Sequence, residues 1–267
     1  MNKRLGIIIV NYNSYEDCCQ CVESILEFAV VDAGAIVIVD NCSPDGSGRQ
    51  LAARFPDIKV ILSDRNGGYG AGINLGVANL DTEFYLILNP DTRFRENKIE
   101  VALELFAKEP TLGVLGLHLE YADGSHQDSA RRFFSVLTIL LRRSPLGKMK
   151  LMQGPLNEHL MKNYWANGVF EADWVTGAAF IVRKVAFDAV GRMDEGYFLY
   201  MEDTDLCKRM WRFGWTVKAI PSVKLTHFLQ RESAKSVLGK ANRTFLRSLV
   251  RYWFKFGVPI WGHGSRK

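Results

Sequence analysis

The chain has 267 residues and a mass of 30.2 kDa. That is enough for one large α/β domain or two small ones, with a core that needs no disulfide or metal staple. With 48% hydrophobic and 24% charged residues and a mean hydropathy of −0.05, the composition is that of a soluble globular protein and excludes a disordered one. The net charge of +5 is uneven, because residues 231–267 carry +8 and residues 1–230 carry −3. Basicity confined to one end points to phosphate, in nucleic acid or on an anionic membrane.

Met1-Asn2-Lys3-Arg4 leads straight into Leu5-Gly6-Ile7-Ile8-Ile9-Val10 with no small-residue cleavage site, so it reads as a first strand rather than a signal peptide. Further strand-like runs follow at residues 35–40, 58–62, 83–88 and 112–117. Between them lie helix candidates at 14–28, with Ser14 as N-cap, and at 48–55, 70–80 and 97–108. This alternation predicts a wound α/β fold with strands buried on both faces. After Glu120 it stops. A basic insertion at about residues 125–165 includes Arg131 to Lys150, with six positive charges and no acid. The longest apolar run, Phe133 to Leu141, contains Ser135 and Thr138 and falls short of the roughly 20 residues that cross a bilayer. A strand at 174–182, a helix at 203–213 and short strands at 215–220 and 223–225 around Pro221 follow, with His227 just past the last. Five cysteines, three of them on the first helix, have no second cluster at metal spacing and read as reduced thiols. The domain expected is residues 1–230, with 231–267 as a tail.

Ligands of an open α/β sheet bind beyond the carboxyl ends of the strands. There the chain places Asn11-Tyr12-Asn13-Ser14, Asp40-Asn41-Cys42-Ser43 and Asn89-Pro90-Asp91-Thr92. Any one of these could be a turn or a cap, but three together suggest a site. The loop Arg65-Asn66-Gly67-Gly68-Tyr69-Gly70 offers glycines and backbone amides at a helix start, which suits a diphosphate as well as it suits a tight turn. The dinucleotide fingerprint is absent after the first strand, which disfavours an NAD enzyme. Glu202-Asp203-Thr204-Asp205 opens a helix, where carboxylates also serve as simple caps. A nucleotide-binding half, a turn able to hold a divalent cation and a carboxylate pair together meet the needs of sugar transfer from a nucleotide donor: neutralisation of the leaving diphosphate and a base for the acceptor hydroxyl.

These residues resemble the family 2 inverting glycosyltransferases of the GT-A fold. The segments that carry the likeness are Ile8 to Asn13, Val39-Asp40-Asn41, Asn66 with Gly68, Leu88-Asn89-Pro90-Asp91, Trp174-Val175-Thr176-Gly177-Ala178 and Phe198 to Leu206, in the family's order over residues 4–230. Within the family the chain is most similar to bacterial rhamnosyltransferases of polysaccharide and O-antigen assembly. The resemblance implies Asn11, Tyr12, Asn13 and Asp40 at the base and ribose, and Arg65, Asn66 and Gly68 near the diphosphate. It implies Asn89 and Asp91 in the metal-binding motif, which in the family is often Asp-X-Asp, and His227 as a further ligand for Mg or Mn. Asp203 takes the catalytic-base position, with Glu202 beside it. The implied donor is dTDP-β-L-rhamnose and the implied acceptor a polyprenyl-diphosphate N-acetylglucosamine. Transfer of galactofuranose, glucose or an N-acetylhexosamine, or a silent nucleotide-sugar-binding subunit, are the alternatives.

In the tail, Lys240, Arg243, Arg247, Arg251 and Lys255 share one helical face. Leu238, Ala241, Phe245, Leu249, Tyr252, Trp253 and Phe256 run along the other. This predicts an interfacial helix on anionic lipid, the alternative being a helix packed on the core. Phe133, Phe134, Leu137, Leu140 and Leu141 between arginine pairs suggest a second membrane contact. No nucleic-acid motif is present. The expected location is the cytoplasm, peripheral on the inner face of the plasma membrane.

Overall fold

The apolar runs of the first half are strands because Ile, Val and Leu at successive positions bury both faces of a central sheet. A computed structural model describes residues 4–143, 149–228 and 240–259. Its first half runs β1 (Leu5–Asn11), α1 (Tyr15–Glu27), β2 (Ile36–Asp40), α2 (Ser47–Arg54), β3 (Lys59–Leu62), α3 (Tyr69–Val77), β4 (Phe84–Leu88), β5 (Thr92–Phe94), α4 (Ile99–Lys108) and β6 (Leu112–Glu120). The second half runs β7 (His126–Gln127), β8 (Ala130–Arg131), α5 (Val136–Arg143), α6 (Lys150–His159), β9 (Phe170–Glu171), β10 (Trp174–Val175), β11 (Ala179–Arg183), α7 (Lys184–Ala189), α8 (Glu202–Arg212), β12 (Thr216–His227) and α9 (Lys240–Phe256).

The main sheet has the order β3-β2-β1-β4-β11-β6-β12-β5, with β7 and β9 paired at its margin, and β8 pairs with β10 in a small second sheet. Side chains alternate between two cores. Ile7, Ile9, Ile38, Leu86 and Leu117 pack on one face beneath α1, α2 and α4, and Ile8, Val10, Ile87, Val114 and Phe180 pack on the other, beneath α3, α7 and α8.

The structure corrects the sequence reading at several points. Residues 174–182 are two strands, not one. β10 pairs antiparallel with β8, and Thr176-Gly177-Ala178 carries the chain into β11, which enters the main sheet antiparallel to both β4 and β6. The two short strands around Pro221 are one long strand, β12, whose register on β6 shifts between Ile220 and Lys224. Proline lacks an N–H for the ladder, so the strand bulges there instead of ending. His227 is the last residue of β12 rather than a residue beyond it. Ser14 is the N-cap residue of α1, but its hydroxyl bonds to Tyr12 O at 3.1 Å and caps nothing. All five cysteines are free, and only Cys42 is exposed.

The tail departs most from expectation. Leu249 and Tyr252 are buried in the second core, and Phe245, Trp253 and Phe256 pack against it. The aromatic face of α9 therefore lies on the protein and cannot face lipid. Arg251 and Lys255 reach Asp194 at 2.9 and 2.8 Å, and Lys255 also reaches Asp205 at 2.6 Å. Leu238 and the side chains of Lys240 and Ala241 lie outside the described residues. The second expected membrane contact fails for the same reason: Phe133, Phe134 and Leu141 are buried, and Leu140 alone of the five is exposed. Among the described residues no helix is long and apolar enough to cross a membrane.

Candidate active site

The carboxyl ends of β1, β2 and β4, the link from β10 to β11 and the start of α8 converge on one edge of the sheet. Tyr200 and Met201 adopt left-handed φ of 68° and 69°, which turns the chain sharply so that Glu202 and Asp203 open α8. Asp203 is fixed by three donors. Gly177 N–H reaches its Oδ2 at 2.9 Å, and the Thr204 N–H and hydroxyl reach its Oδ1 at 2.6 and 3.2 Å. Tyr69, whose hydroxyl donates to Gly177 O at 2.8 Å, holds that turn in place from below. These groups line a cleft of about 370 Å³ together with Asn89, Arg131, Trp174, His227, and Asn242 and Phe245 of α9.

Electrostatics separate the two acids. Burial raises the Asp203 carboxyl above its ordinary value, opposed by the N–H groups of Gly177 and Thr204 and by the charge of Arg131. Burial also raises Glu202, and the neighbouring Asp203 charge adds to it. Glu202 Oε2 is buried with no hydrogen-bond partner. The pair thus holds a proton more tightly than two isolated carboxyls, and Asp203, with three donors, is the member that carries the charge. Arg131 lies over the Trp174 ring at 4.9 Å and donates to Asp128 O at 3.0 Å, while its Nε is buried without a partner.

Asp91 follows β4, and the antiparallel pairing of β12 with β5, in which His227 opposes Thr92, brings His227 beside it. His227 Nε2 stands 3.2 Å from Asp91 Oδ1. On the other side, Gln127 Oε1 of β7 lies 2.5 Å from Nδ1, within hydrogen-bond distance, and fixes the ring orientation. Asp91 Oδ1 and His227 Nε2 are both buried with no hydrogen-bond partner. A buried imidazole nitrogen facing a buried carboxylate oxygen is a donor set that suits a shared cation. Among the described residues no group of three or more His, Cys, Asp or Glu could hold a metal ion.

The remaining sequence-selected residues lie around the first strands. Asn11 Nδ2 donates to Asp40 Oδ1 at 2.7 Å and to Ser47 Oγ at 2.9 Å, and Ser43 donates to Asp40 through its N–H at 3.0 Å and its hydroxyl at 2.6 Å. Asn11 and Asp40 are buried and form a floor, above which Tyr12, at 46% exposure, and Asn13, with φ of 52°, reach the surface. Asn41 clamps the glycine loop: its amide donates to Asn66 Oδ1 and Gly68 O, both at 3.0 Å, and its carbonyl accepts from Gly67 N–H at 3.3 Å. Gly68 has φ of 90°, and a Cβ there would lie 2.3 Å from Phe198 O, so the residue brings the loop against the segment leading to α8. Arg65 is exposed and lines a separate groove with Asn41, Ser63 and Asn74; it does not line the cleft that holds Asp203. The structure thus gathers Asn89, Asp91, Glu202, Asp203 and His227, and leaves Arg65 apart.

A family model described as glycosyl transferase family 2 matches residues 6–175, more than half of the chain. The chain belongs to that family. It is 28% identical over 247 residues to N-acetylglucosaminyl-diphospho-decaprenol L-rhamnosyltransferase of Mycobacterium tuberculosis, covering 85% of this chain and 76% of that protein. It is also 28% identical to rhamnosyltransferase WbbL of Escherichia coli K12, with 69% of each chain covered. Among solved structures, GalNAc-T7 with UDP, GalNAc and Mn2+ matches 95% of this chain at a TM-score of 0.65 and 14% identity. The mannosyltransferase PcManGT of Pyrobaculum calidifontis, in complex with GDP-Man and Mn2+, matches 87% at 0.58 and 14%. This chain spans 48% and 59% of those two proteins, and at such identity they establish the fold alone. The GT-A fold that the family resemblance implied is thereby confirmed. Sequence reasoning passed over Asn41 and Arg131 as site residues and Gln127 altogether. Asn41 stood inside a quoted motif and Arg131 inside the basic insertion, whereas nothing in the sequence marks Gln127.

Proposed function

We propose that this glycosyltransferase moves L-rhamnose from dTDP-β-L-rhamnose to a hydroxyl of N-acetylglucosamine on a polyprenyl diphosphate, with inversion. The observation that carries the reading is the Asp203 carboxylate, held by three donors in a cleft that also contains Asn89, Arg131 and His227. The activity named for the Mycobacterium tuberculosis relative supports the choice of sugar and acceptor.

Asp203 accepts the proton of the acceptor hydroxyl as its oxygen attacks the anomeric carbon and the bond from that carbon to the diphosphate oxygen breaks. No covalent sugar intermediate forms, and a β-linked donor gives an α-linked product. The buried Glu202, kept protonated by its surroundings, lets the single negative charge reside on Asp203. Arg131 faces the cleft as a cation with an uncommitted Nε–H and stabilises phosphate charge there. Asp91 and His227 would hold a Mg or Mn ion, and that ion when bound would offset charge on the departing diphosphate. Asn89 supplies a neutral amide beside them, so the site carries one carboxylate rather than two. On the donor side, Asn11 and Asp40 form the floor and Tyr12 and Asn13 the rim for base and ribose, and Asn66 and Gly68 border the phosphates, with Arg65 set apart in its own groove.

The test is incubation of the purified protein with dTDP-β-L-rhamnose and polyprenyl-diphosphate N-acetylglucosamine, with the product read by mass spectrometry and its anomeric configuration by NMR. An α-rhamnoside is expected. Turnover with a UDP- or GDP-sugar and none with dTDP-rhamnose would overturn the donor; bound nucleotide sugar with no turnover on any acceptor would make the protein a silent subunit.

A further inference from the structure

The helix α9 has two faces with different tasks. Phe245, Leu249, Tyr252, Trp253 and Phe256 lie on the protein, and Asn242 and Phe245 form part of the wall of the cleft that holds Asp203. On the opposite side Leu246, Val250 and Phe254 are 52%, 47% and 89% exposed, and Arg243 and Arg247 beside them are exposed too. At 3.6 residues per turn these five side chains fall within a sector of about 100°. They form the stripe that would remain if the helix were docked for another reason. Exposed apolar residues are ordinary when scattered, but here three stand at four-residue steps between arginines. The helix contains no Asp or Glu.

We infer that this outward stripe of α9, Leu246, Val250 and Phe254 with Arg243 and Arg247, is the surface by which the enzyme rests on an anionic lipid bilayer. Charge complementarity selects this occupant: the apolar side chains stand beside Arg243 and Arg247, which meet lipid phosphate, and Asp194, the acid that lines their groove, is neutralised by Arg251 and Lys255. Arg251 and Lys255 are already engaged with Asp194 and Asp205 and contribute less than their positions on the helix suggest. Burial opposes, but Lys255, the Gly196 N–H and Arg251 together hold the Asp194 carboxyl down at about 2, so that anchor stays charged near neutral pH. The same helix therefore touches the bilayer with one side and walls the cleft with the other. Just past it, Pro259 O accepts the Val136 N–H at 2.9 Å, joining the end of α9 to α5, whose exposed Arg142 lines the same cleft. In this orientation only the thickness of α9, about 10–12 Å, lies between the cleft wall that it forms and the lipid headgroups, where the diphosphate of a lipid-linked acceptor lies. That last step rests on the proposed acceptor; the membrane contact itself does not.

The experiment is co-sedimentation of the full chain with phosphatidylcholine vesicles, with and without phosphatidylglycerol, in the absence of sugar substrates. The wild-type protein is expected to bind only the anionic vesicles and to leave them at high salt. The Val250→Glu/Phe254→Glu and Arg243→Glu/Arg247→Glu variants should each weaken binding by about tenfold or more. Thermal midpoint and donor-nucleotide binding should stay at wild-type values, because none of these side chains enters the core or the site. Phe254→Glu alone serves if a double variant unfolds. Wild-type protein that ignores anionic lipid, or Phe254→Glu protein that binds as well as wild type, overturns the inference. So does a wild-type dimer that Val250→Glu/Phe254→Glu splits, which would make the stripe a contact between copies. A wrong sugar assignment leaves the vesicle result unchanged, so the two readings fail separately.

Discussion

Replacing Asp203 with Asn removes the proposed base while changing its shape least. Its carboxylate accepts from Gly177 N–H at one oxygen and from the Thr204 N–H and hydroxyl at the other. The amide oxygen of Asn can keep the Thr204 bonds, but its NH2 then faces the Gly177 N–H, a donor against a donor, at a cost of about 1–3 kcal/mol in stability. Loss of a general base lowers turnover about 10²–10⁴-fold, which corresponds to about 2.7–5.4 kcal/mol of barrier. Donor affinity should stay within about twofold, because the proton accepted comes from the acceptor. The substitution also removes the Asp203 charge, which after burial is the larger cause of the raised Glu202 carboxyl. Glu202 should therefore ionise at lower pH in Asp203→Asn than in wild type. Residual activity should rise with pH as Glu202 ionises, and Glu202→Gln in the same chain should abolish that rise. Single-turnover kinetics across pH, beside calorimetric titration with donor nucleotide, measure both quantities. A variant retaining more than about one-tenth of wild-type turnover would remove Asp203 from the base role. Equal losses in turnover and donor affinity would make it a donor-binding group instead.

Gly68→Ala should lower stability by about 1–3 kcal/mol from backbone strain alone, and the clash with Phe198 O should weaken donor binding as the loop shifts; thermal unfolding and nucleotide titration read both. Leu249→Ala should cost about 2–5 kcal/mol and lower one cooperative transition for the whole protein, whereas a separate early transition would mark α9 as a detachable tail. Glu202→Gln should stabilise the protein increasingly as pH rises. The wild-type carboxyl titrates higher folded than unfolded, so the native state binds more protons and loses stability as pH climbs from about 4.3 through the raised value, by about 1.4 kcal/mol per unit of displacement. Denaturant unfolding at several pH values checks the sign. Asp91→Ala should raise the Mg or Mn concentration needed for half-maximal donor binding without moving the thermal midpoint by more than about 4 °C, and donor binding indifferent to chelator in both proteins would refute the metal assignment.

The amino-acid order alone determined the elements with strong local signals. Residues 5–10, 35–40 and 83–88 could only be buried strands, because runs of Ile, Val and Leu that short have no polar face to offer water. The polar residues that end them, Asn11, Asp40 and Asn89 to Asp91, marked the rim that the proposed site occupies, and Glu202-Asp203 were legible as acids at a helix start. The three residues of β5 were too few to show a period. The break between β10 and β11 could not be read, because Thr176-Gly177-Ala178 changes sheets only once β8 exists to pair with Trp174-Val175. Likewise, the apolar face of α9 suited either lipid or the core on paper. Tertiary packing chose between them by burying Leu249 and Tyr252 and pairing Lys255 with Asp205, and so turned Phe254 outward. It also decided the site's electrostatics. The contact of Gln127 with His227, the approach of His227 to Asp91 and the Gly177 N–H bond to Asp203 each join residues distant in sequence, and contacts of that range depend on register and strand order rather than on local pattern.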